Sequence, residues 1–225
     1  MSKSFGAYYS VYKNKKATEF VLENFRTHFP EECIVLFSDG GDDFSDIASR
    51  YNCHYFWTEN LYGNDENKYP ILPYNSLRMK LWWERQKRVC DISQSDYVMI
   101  LEDDVFVKRS FEINDNFFLR GARIGNFFSA KMINDIHSLG EIEGSNKYGM
   151  CGGSFYNVSV FQKIYDDVIS DIIDNHDDML NDPEYFLLGA VDANITYHFN
   201  KRGYRYEDSP WLVEVREGDL GDYPI

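Results

Sequence analysis

Five apolar residues, Tyr97, Val98, Met99, Ile100 and Leu101, run without a spacer into three carboxylates, Glu102, Asp103 and Asp104, and the chain turns apolar again at Val105, Phe106 and Val107. A short, wholly apolar run reads as a strand covered on both faces, the kind found inside a parallel sheet. Three carboxylates at the end of such a strand repel one another and lose solvent, and both effects oppose ionisation. A cation is therefore expected beside them. Hard oxygen ligands from one or two carboxylates, with the remaining positions left to water and phosphate, describe how Mg2+ or Mn2+ is held in phosphate-handling sites. Read as extended chain, the segment sends Glu102 and Asp104 to one side and Asp103 to the other. The rival reading, a solvated acidic turn, is disfavoured by the apolar run that precedes it.

The rest of the N-terminal half alternates strand and helix. Residues 6–11 (GAYYSV) predict a strand, and residues 15–29 predict a helix with Phe20, Val21, Asn24, Phe25 and His28 on one face. Residues 33–37 (CIVLF) predict a second buried strand that ends in Ser38, Asp39, Gly40 and Gly41, with Phe44, Ile47, Ala48 and Tyr51 at helical spacing after it. A third strand is expected over 54–57 and a loop over 59–73. A helix over 75–90 carries Arg78, Lys80, Arg85, Lys87 and Arg88. Such alternation defines an α/β fold with a mainly parallel sheet. Farther on, residues 124–130 predict a strand and 149–158 a glycine-rich segment. The four-residue recurrence of Val160, Ile164, Val168 and Ile172 predicts a core-facing helix over 159–174, with Ser159 as its N-cap. No linker or repeat divides the chain, so a single domain is expected over 1–225.

Charge then narrows the function. With 23 Lys+Arg against 37 Asp+Glu the formal charge is −14, which repels phosphodiester backbones and argues against a nucleic-acid partner. Seventeen Tyr, 17 Phe and four Trp exceed what a core alone needs, and rings at a surface suit a sugar-binding cleft, although composition by itself favours a ring-rich core. Cys33, Cys53, Cys90 and Cys151 lie far apart, with no CxxC pair and no histidine at zinc-ligand spacing, so four reduced thiols are expected. Residues 1–6 are polar, and no apolar stretch approaches the roughly 18 residues of a membrane span. The expectation is a cytoplasmic protein with neither signal peptide nor transmembrane segment.

The string YVMILEDDVFV resembles the hydrophobic strand and DxD motif of the GT-A glycosyltransferases, nucleotide-sugar-dependent enzymes built on a Rossmann-like α/β sheet. Here the motif is the variant Glu102-Asp103-Asp104. Further landmarks follow the order of that family. GAYYSV resembles its first strand and CIVLFSDGGDDF its second, MCGGSF resembles its glycine-rich acceptor-side segment, and VDANITYHFNKRGYRYED resembles the stretch that carries a catalytic carboxylate, a helix and then Gly-Tyr-Arg. The resemblance covers roughly residues 6–207. It implies a mixed, mainly parallel central sheet flanked by helices, with a nucleotide-sugar donor half over about 1–107 and an acceptor half over about 108–225.

The same resemblance implies roles for particular residues. Asp104 would bind the divalent metal, Glu102 would assist directly or through water, and Asp103 would reach the ribose. Tyr9, Ser10 and Asp39, at the ends of the first two strands, would meet the nucleotide, and ligands to open α/β sheets do sit at the carboxyl ends of strands. Arg78 could meet the diphosphate. Gly152 and Gly153 would let an acceptor sugar approach the backbone, and Trp211 could stack on it. Asp192, 11 residues before Gly203, is the candidate catalytic carboxylate, although Val191 stands where the family usually has Glu. Glu184 is its rival. A third protein ligand to the metal would be His198, or a carboxylate such as Asp208, or absent.

These parts imply a metal-dependent glycosyltransferase. It would use Mn2+ or Mg2+ and move a sugar from a nucleotide diphosphate, UDP by preference, to a hydroxyl of a carbohydrate or glycoconjugate acceptor. With inversion Asp192 is a general base; with retention it orients the sugar. Two alternatives remain: a non-catalytic nucleotide- or carbohydrate-binding module on the same fold, and a metal-dependent nucleotidyl or phosphoryl transferase. Against the latter, Ser10, Val11, Tyr12 and Lys13 stand where a glycine-rich phosphate loop would follow the first strand. The basic helix and acidic remainder could also meet in a homodimer.

Overall fold

The computed structural model describes residues 2–58, 73–121, 126–137, 147–208 and 213–214. The N-terminal half runs β1 (Phe5–Val11), α1 (Lys15–His28), β2 (Ile34–Asp39), α2 (Ser45–Arg50), β3 (His54–Thr58), α3 (Ser76–Ser93) and β4 (Tyr97–Leu101). There follow β5 (Val105–Phe106), β6 (Leu119–Gly121), β7 (Asn126–Phe127), α4 (Ala130–His137), β8 (Lys147–Tyr148), β9 (Phe155–Asn157) and α5 (Val158–Leu180). A 3-10 helix over Pro183–Gly189, then α6 (Val191–Asn200), β10 (Tyr206–Asp208) and β11 (Val213–Glu214) complete the order.

Seven strands form one sheet in the order β10-β6-β9-β4-β1-β2-β3. β1 pairs in parallel with β2 and β4, β2 with β3, and β6 with β10, whereas β9 runs antiparallel to both β4 and β6. The fold is therefore α/β, with a mixed and mainly parallel Rossmann-like sheet flanked by helices. Numbered within the sheet alone, the strands lie 3-2-1-4-6-5-7 with the sixth reversed. The sheet takes four strands from the N-terminal half and three from the C-terminal half.

Why β1, β2 and β4 are central follows from their side chains. Tyr8, Val35, Phe37, Val98 and Ile100 point to one face, where they meet Trp83 and Val89 of α3, Phe161 and Val168 of α5, and Ile195 and Phe199 of α6. Ala7, Tyr9, Leu36, Met99 and Leu101 point to the other, against Val21, Leu22 and Phe25 of α1 and Ile47 of α2. Both faces are covered, so these strands read as continuous apolar runs instead of alternating. Trp83 donates its indole N–H to Asn194 Oδ1 (2.9 Å), and Asn194 donates to the Leu188 carbonyl (3.0 Å), which pins α6 to α3.

Several expectations are corrected. The predicted strand over 124–130 is only β7 at 126–127, and α4 begins at Ala130. The long helix starts earlier and ends later than predicted, and its N-cap is Asn157, whose Oδ1 accepts the Val160 N–H at 3.0 Å; Ser159 instead donates to Asn157. β6, three residues long, was missed, yet it sits inside the sheet between β9 and β10. Of the predicted loop over 59–73, only Pro73 is among the described residues, and Trp211 also falls outside them. The four cysteines form no disulfide. Among the described residues no helix is long and apolar enough to cross a membrane.

Candidate active site

Parallel pairing places the carboxyl ends of β1, β2, β3 and β4 on one edge of the sheet, so Ser10, Asp39 and Glu102 emerge there together. α3 leads into the start of β4 at the opposite edge, and its N-terminus with Arg78 therefore lies toward this same edge. Asn75 caps that end by accepting the Arg78 N–H at 3.0 Å.

Here the acidic motif is a turn and not extended chain. β4 ends at Leu101, and the Val105 N–H reaches back to the Glu102 carbonyl at 3.1 Å, which closes residues 102–105. Strict alternation of the three carboxylates is thereby lost. Tyr9, fully buried on β1, donates its hydroxyl to Asp103 Oδ1 at 2.6 Å, and burial pushes the Asp103 carboxyl up while the Tyr9 hydrogen bond draws it down. Tyr9 thus meets the motif itself from below. β5, just after the turn, pairs with β11 and so leaves the main sheet.

The glycine-rich segment packs directly against this turn. A Cβ on Gly152 would lie 2.9 Å from Glu102 Cβ, 3.0 Å from Glu102 Oε2 and 2.5 Å from Val105 Cγ2. Gly153 has φ +83°, the value required at the third position of a type II turn, and the Ser154 N–H closes that turn on the Cys151 carbonyl at 3.1 Å. Further bonds tie it to β4: Gly153 N–H to the Ile100 carbonyl (2.7 Å) and Ile100 N–H to the Ser154 carbonyl (2.8 Å).

Asp39 is fully buried, and Arg85 from α3 donates Nη2–H to its Oδ1 at 2.7 Å with 7% of the arginine side chain exposed. The guanidinium also lies 5.8 Å from the Phe37 ring centre and hydrogen-bonds the Tyr8 hydroxyl, whose pKa burial raises and Arg85 lowers. Arg85 was not singled out from the sequence. The available signal was its helical spacing from Trp82 and Val89, which puts a cation on a buried face. Beside this pair a cleft of about 480 Å3 is lined, among the described residues, by Phe37, Thr58, Leu81, Glu84, Arg85 and Arg88. The remaining charge of α3 is spent partly within the helix, where Lys80 pairs with Glu84 and Lys87 with Asp91 at 3.1 Å.

The two candidate catalytic carboxylates have different surroundings. Asp192 lies in the first turn of α6, whose N-cap is Ala190, and its Oδ1 accepts the Ala193 N–H at 2.8 Å. Burial raises its pKa, with the Ala193 and Asp192 N–H groups opposing. A carboxylate whose pKa is raised is a stronger proton acceptor than an ordinary aspartate. Glu184 is exposed and caps another helix, its Oε2 accepting the Lys131 N–H of α4 at 3.2 Å. His198 is buried among Trp83, Arg202 and Asp171, with Arg202 donating to its Nδ1 at 3.2 Å. Its hydrogen-bond, ion-pair and ring partners are Arg202, Asp171, Trp83 and Tyr197, and neither Glu102 nor Asp104 is among them. Among the described residues no three His, Cys, Asp or Glu side chains gather as a metal cage. A Mg2+ or Mn2+ ion held by one or two carboxylates plus substrate phosphate and water does not need one, and Glu102 and Asp104, brought onto one closed turn, are hard-oxygen donors of the kind that fits such an ion.

The sequence matches no protein-family model and no curated protein. Solved structures similar to this chain include TarS of S. aureus, at 11% identity and a TM-score of 0.46 over 95% of this chain and 37% of TarS. The glycosyltransferase GlyE of Streptococcus pneumoniae TIGR4 aligns at 14% identity and TM-score 0.44, over 93% of this chain and 46% of GlyE. The galactosyltransferase LgtC, solved in complex with donor and acceptor sugar analogues, aligns at 16% identity and TM-score 0.47, over 89% of this chain and 72% of LgtC. The chain thus spans less than half the length of the first two.

Proposed function

We propose that this chain is a glycosyltransferase that moves a sugar from a nucleotide diphosphate, UDP by preference, to a hydroxyl of a carbohydrate or glycoconjugate. The observation that carries this reading is the carboxyl-edge cluster in which the 102–105 turn, closed on itself and braced by Tyr9, packs without a gap on the Gly152–Gly153 turn. Glu102 and Asp104 would hold Mn2+ or Mg2+, which when bound would offset the charge developing on the leaving diphosphate. The cleft beside the buried Arg85–Asp39 pair, lined by Thr58, Leu81, Glu84 and Arg88, offers the exposed Arg88 guanidinium to a nucleotide. Asp192, with its raised pKa, takes the acceptor proton if the sugar inverts.

Calorimetric titration of UDP with and without Mn2+, on wild type and Asp104→Ala, tests the donor site. Binding is expected to need both the metal and Asp104. UDP binding that is indifferent to both refutes the site. Binding without turnover across UDP-sugars and several acceptors would make the protein a binding module instead.

A further inference from the structure

A second concave site lies on the helical side of the acceptor half, between α4, α5, the 3-10 helix and α6, as a half-open cavity of about 370 Å3. It contains two histidines, His176 (2% exposed) and His198 (4% exposed), each tied to the protein through one ring nitrogen only. His176 Nε2 lies 2.8 Å from the Tyr74 carbonyl and must donate to it, which leaves Nδ1 as an acceptor. His198 Nδ1 receives Arg202 and leaves an N–H at Nε2. Burial lowers both pKa values, so the rings are neutral near pH 7. Neither free nitrogen has a hydrogen-bond partner among the described residues.

The rest of the wall has the same mixed character. Tyr185 and Tyr197 both donate to Asp135 Oδ2, the latter at 3.3 Å, and this fixes two ring edges at the cavity. Asp171 pairs with Arg202 at 2.7 Å and lies 3.9 Å from Lys201, and Lys131 pairs with Asp182. Of the residues that line the cavity, Asp135 and Asp171 are balanced by Lys131 and Lys201, so the wall is neutral inside a chain of formal charge −14. Absence of a metal cage applies here too.

We propose that this cavity binds one neutral sugar ring. Its volume is at the small end of ligand pockets, which run from about 300 to 1,000 Å3, and suits a single ring. The His176 acceptor and the His198 donor are both neutral groups, of the kind that hydroxyls of a sugar pair with, and balanced charge gives no hold on a phosphate or sulfate. The site is separate from the acidic turn and needs neither UDP nor metal.

The test titrates D-glucose, D-galactose and N-acetylglucosamine, in metal-free buffer without nucleotide, while backbone amide and histidine-ring signals are followed by NMR. Saturable shifts confined to residues 131–135, 171–179, 185–188 and 197–201 are expected from at least one sugar, with a Kd on the order of millimolar. Asn175→Trp, at an exposed position on the cavity wall, should weaken that binding about 10-fold or more while leaving Asp104-dependent UDP binding unchanged. No shifts up to about 50 mM, equal affinity in Asn175→Trp, or saturation of the same residues by inorganic phosphate would each overturn the proposal.

Discussion

Arg85→Met tests whether the pair behind the carboxyl edge is as desolvated as its geometry indicates. Asp39 has no solvent exposure, and Arg85 is 7% exposed, so truncating the arginine leaves a carboxylate in a site with no water to replace the lost donor. Breaking a buried pair from one side costs about 3–5 kcal/mol. Loss of the Arg85 bond to the Tyr8 hydroxyl adds about 1 kcal/mol, against a total stability of roughly 5–15 kcal/mol. With a urea slope of about 2–3 kcal/mol/M, the midpoint should fall by more than about 1 M. The companion variant Arg85→Met/Asp39→Leu removes the stranded charge and should recover at least half of the loss, because an apolar pair of similar volume is often no less stable than the ions it replaces. Urea melts of both variants by far-UV circular dichroism decide the matter. A single variant costing under about 1 kcal/mol, or a double variant no better than the single, would refute a desolvated pair.

Two further variants concern the site itself. Asp192→Asn should lower kcat/KM about 100-fold or more if Asp192 is the base, measured with the donor that wild type turns over. The same change should stabilise the fold at pH 7: the folded pKa is raised above the unfolded one, so the charged carboxyl costs stability as pH rises through that window, and the gain should vanish below about pH 4 in melts across pH. Gly152→Ala places a methyl 2.5 Å from Val105 Cγ2 and 2.9 Å from Glu102 Cβ, and should cost about 1–3 kcal/mol in urea melts while weakening Mn2+-dependent UDP binding by displacing Glu102.

Patterns that live within one element were readable from the sequence. β4 begins and ends where the five apolar residues do, because a strand buried on both faces needs no alternation to mark it. α1 has nearly the predicted bounds, but its buried face is Ala17, Thr18, Val21, Leu22 and Phe25; of the expected face only Val21 and Phe25 are buried, and Phe20, Asn24 and His28 lie at its margin. What depended on other parts of the chain was not readable. β6 has only Leu, Arg and Gly, and its place in the sheet comes from pairing with β9 and β10, one of them across more than 80 residues. The helix beginning at Ala130 was hidden by the apolar residues before it, Phe127 and Phe128, which suit a strand as well.

At the site the division is the same, and it explains why the residue types were found before their partners. Glu102, Asp103 and Asp104 stand out because charge after a buried strand is costly wherever it occurs. Their arrangement could not be read, since it is set by a turn whose closing bond runs from Val105 to Glu102 and by Gly152, a residue 50 positions away whose missing Cβ makes room. Asp39 was visible at the end of β2, but its partner lies 46 residues on, in a helix where four other cations looked equally available. Only the packed structure separates Arg85 from Arg78, Lys80, Lys87 and Arg88, because burial is a property of the helix face and the sheet together. A cation forced into that face must find a carboxylate, and Asp39 is the one that the β2 register delivers.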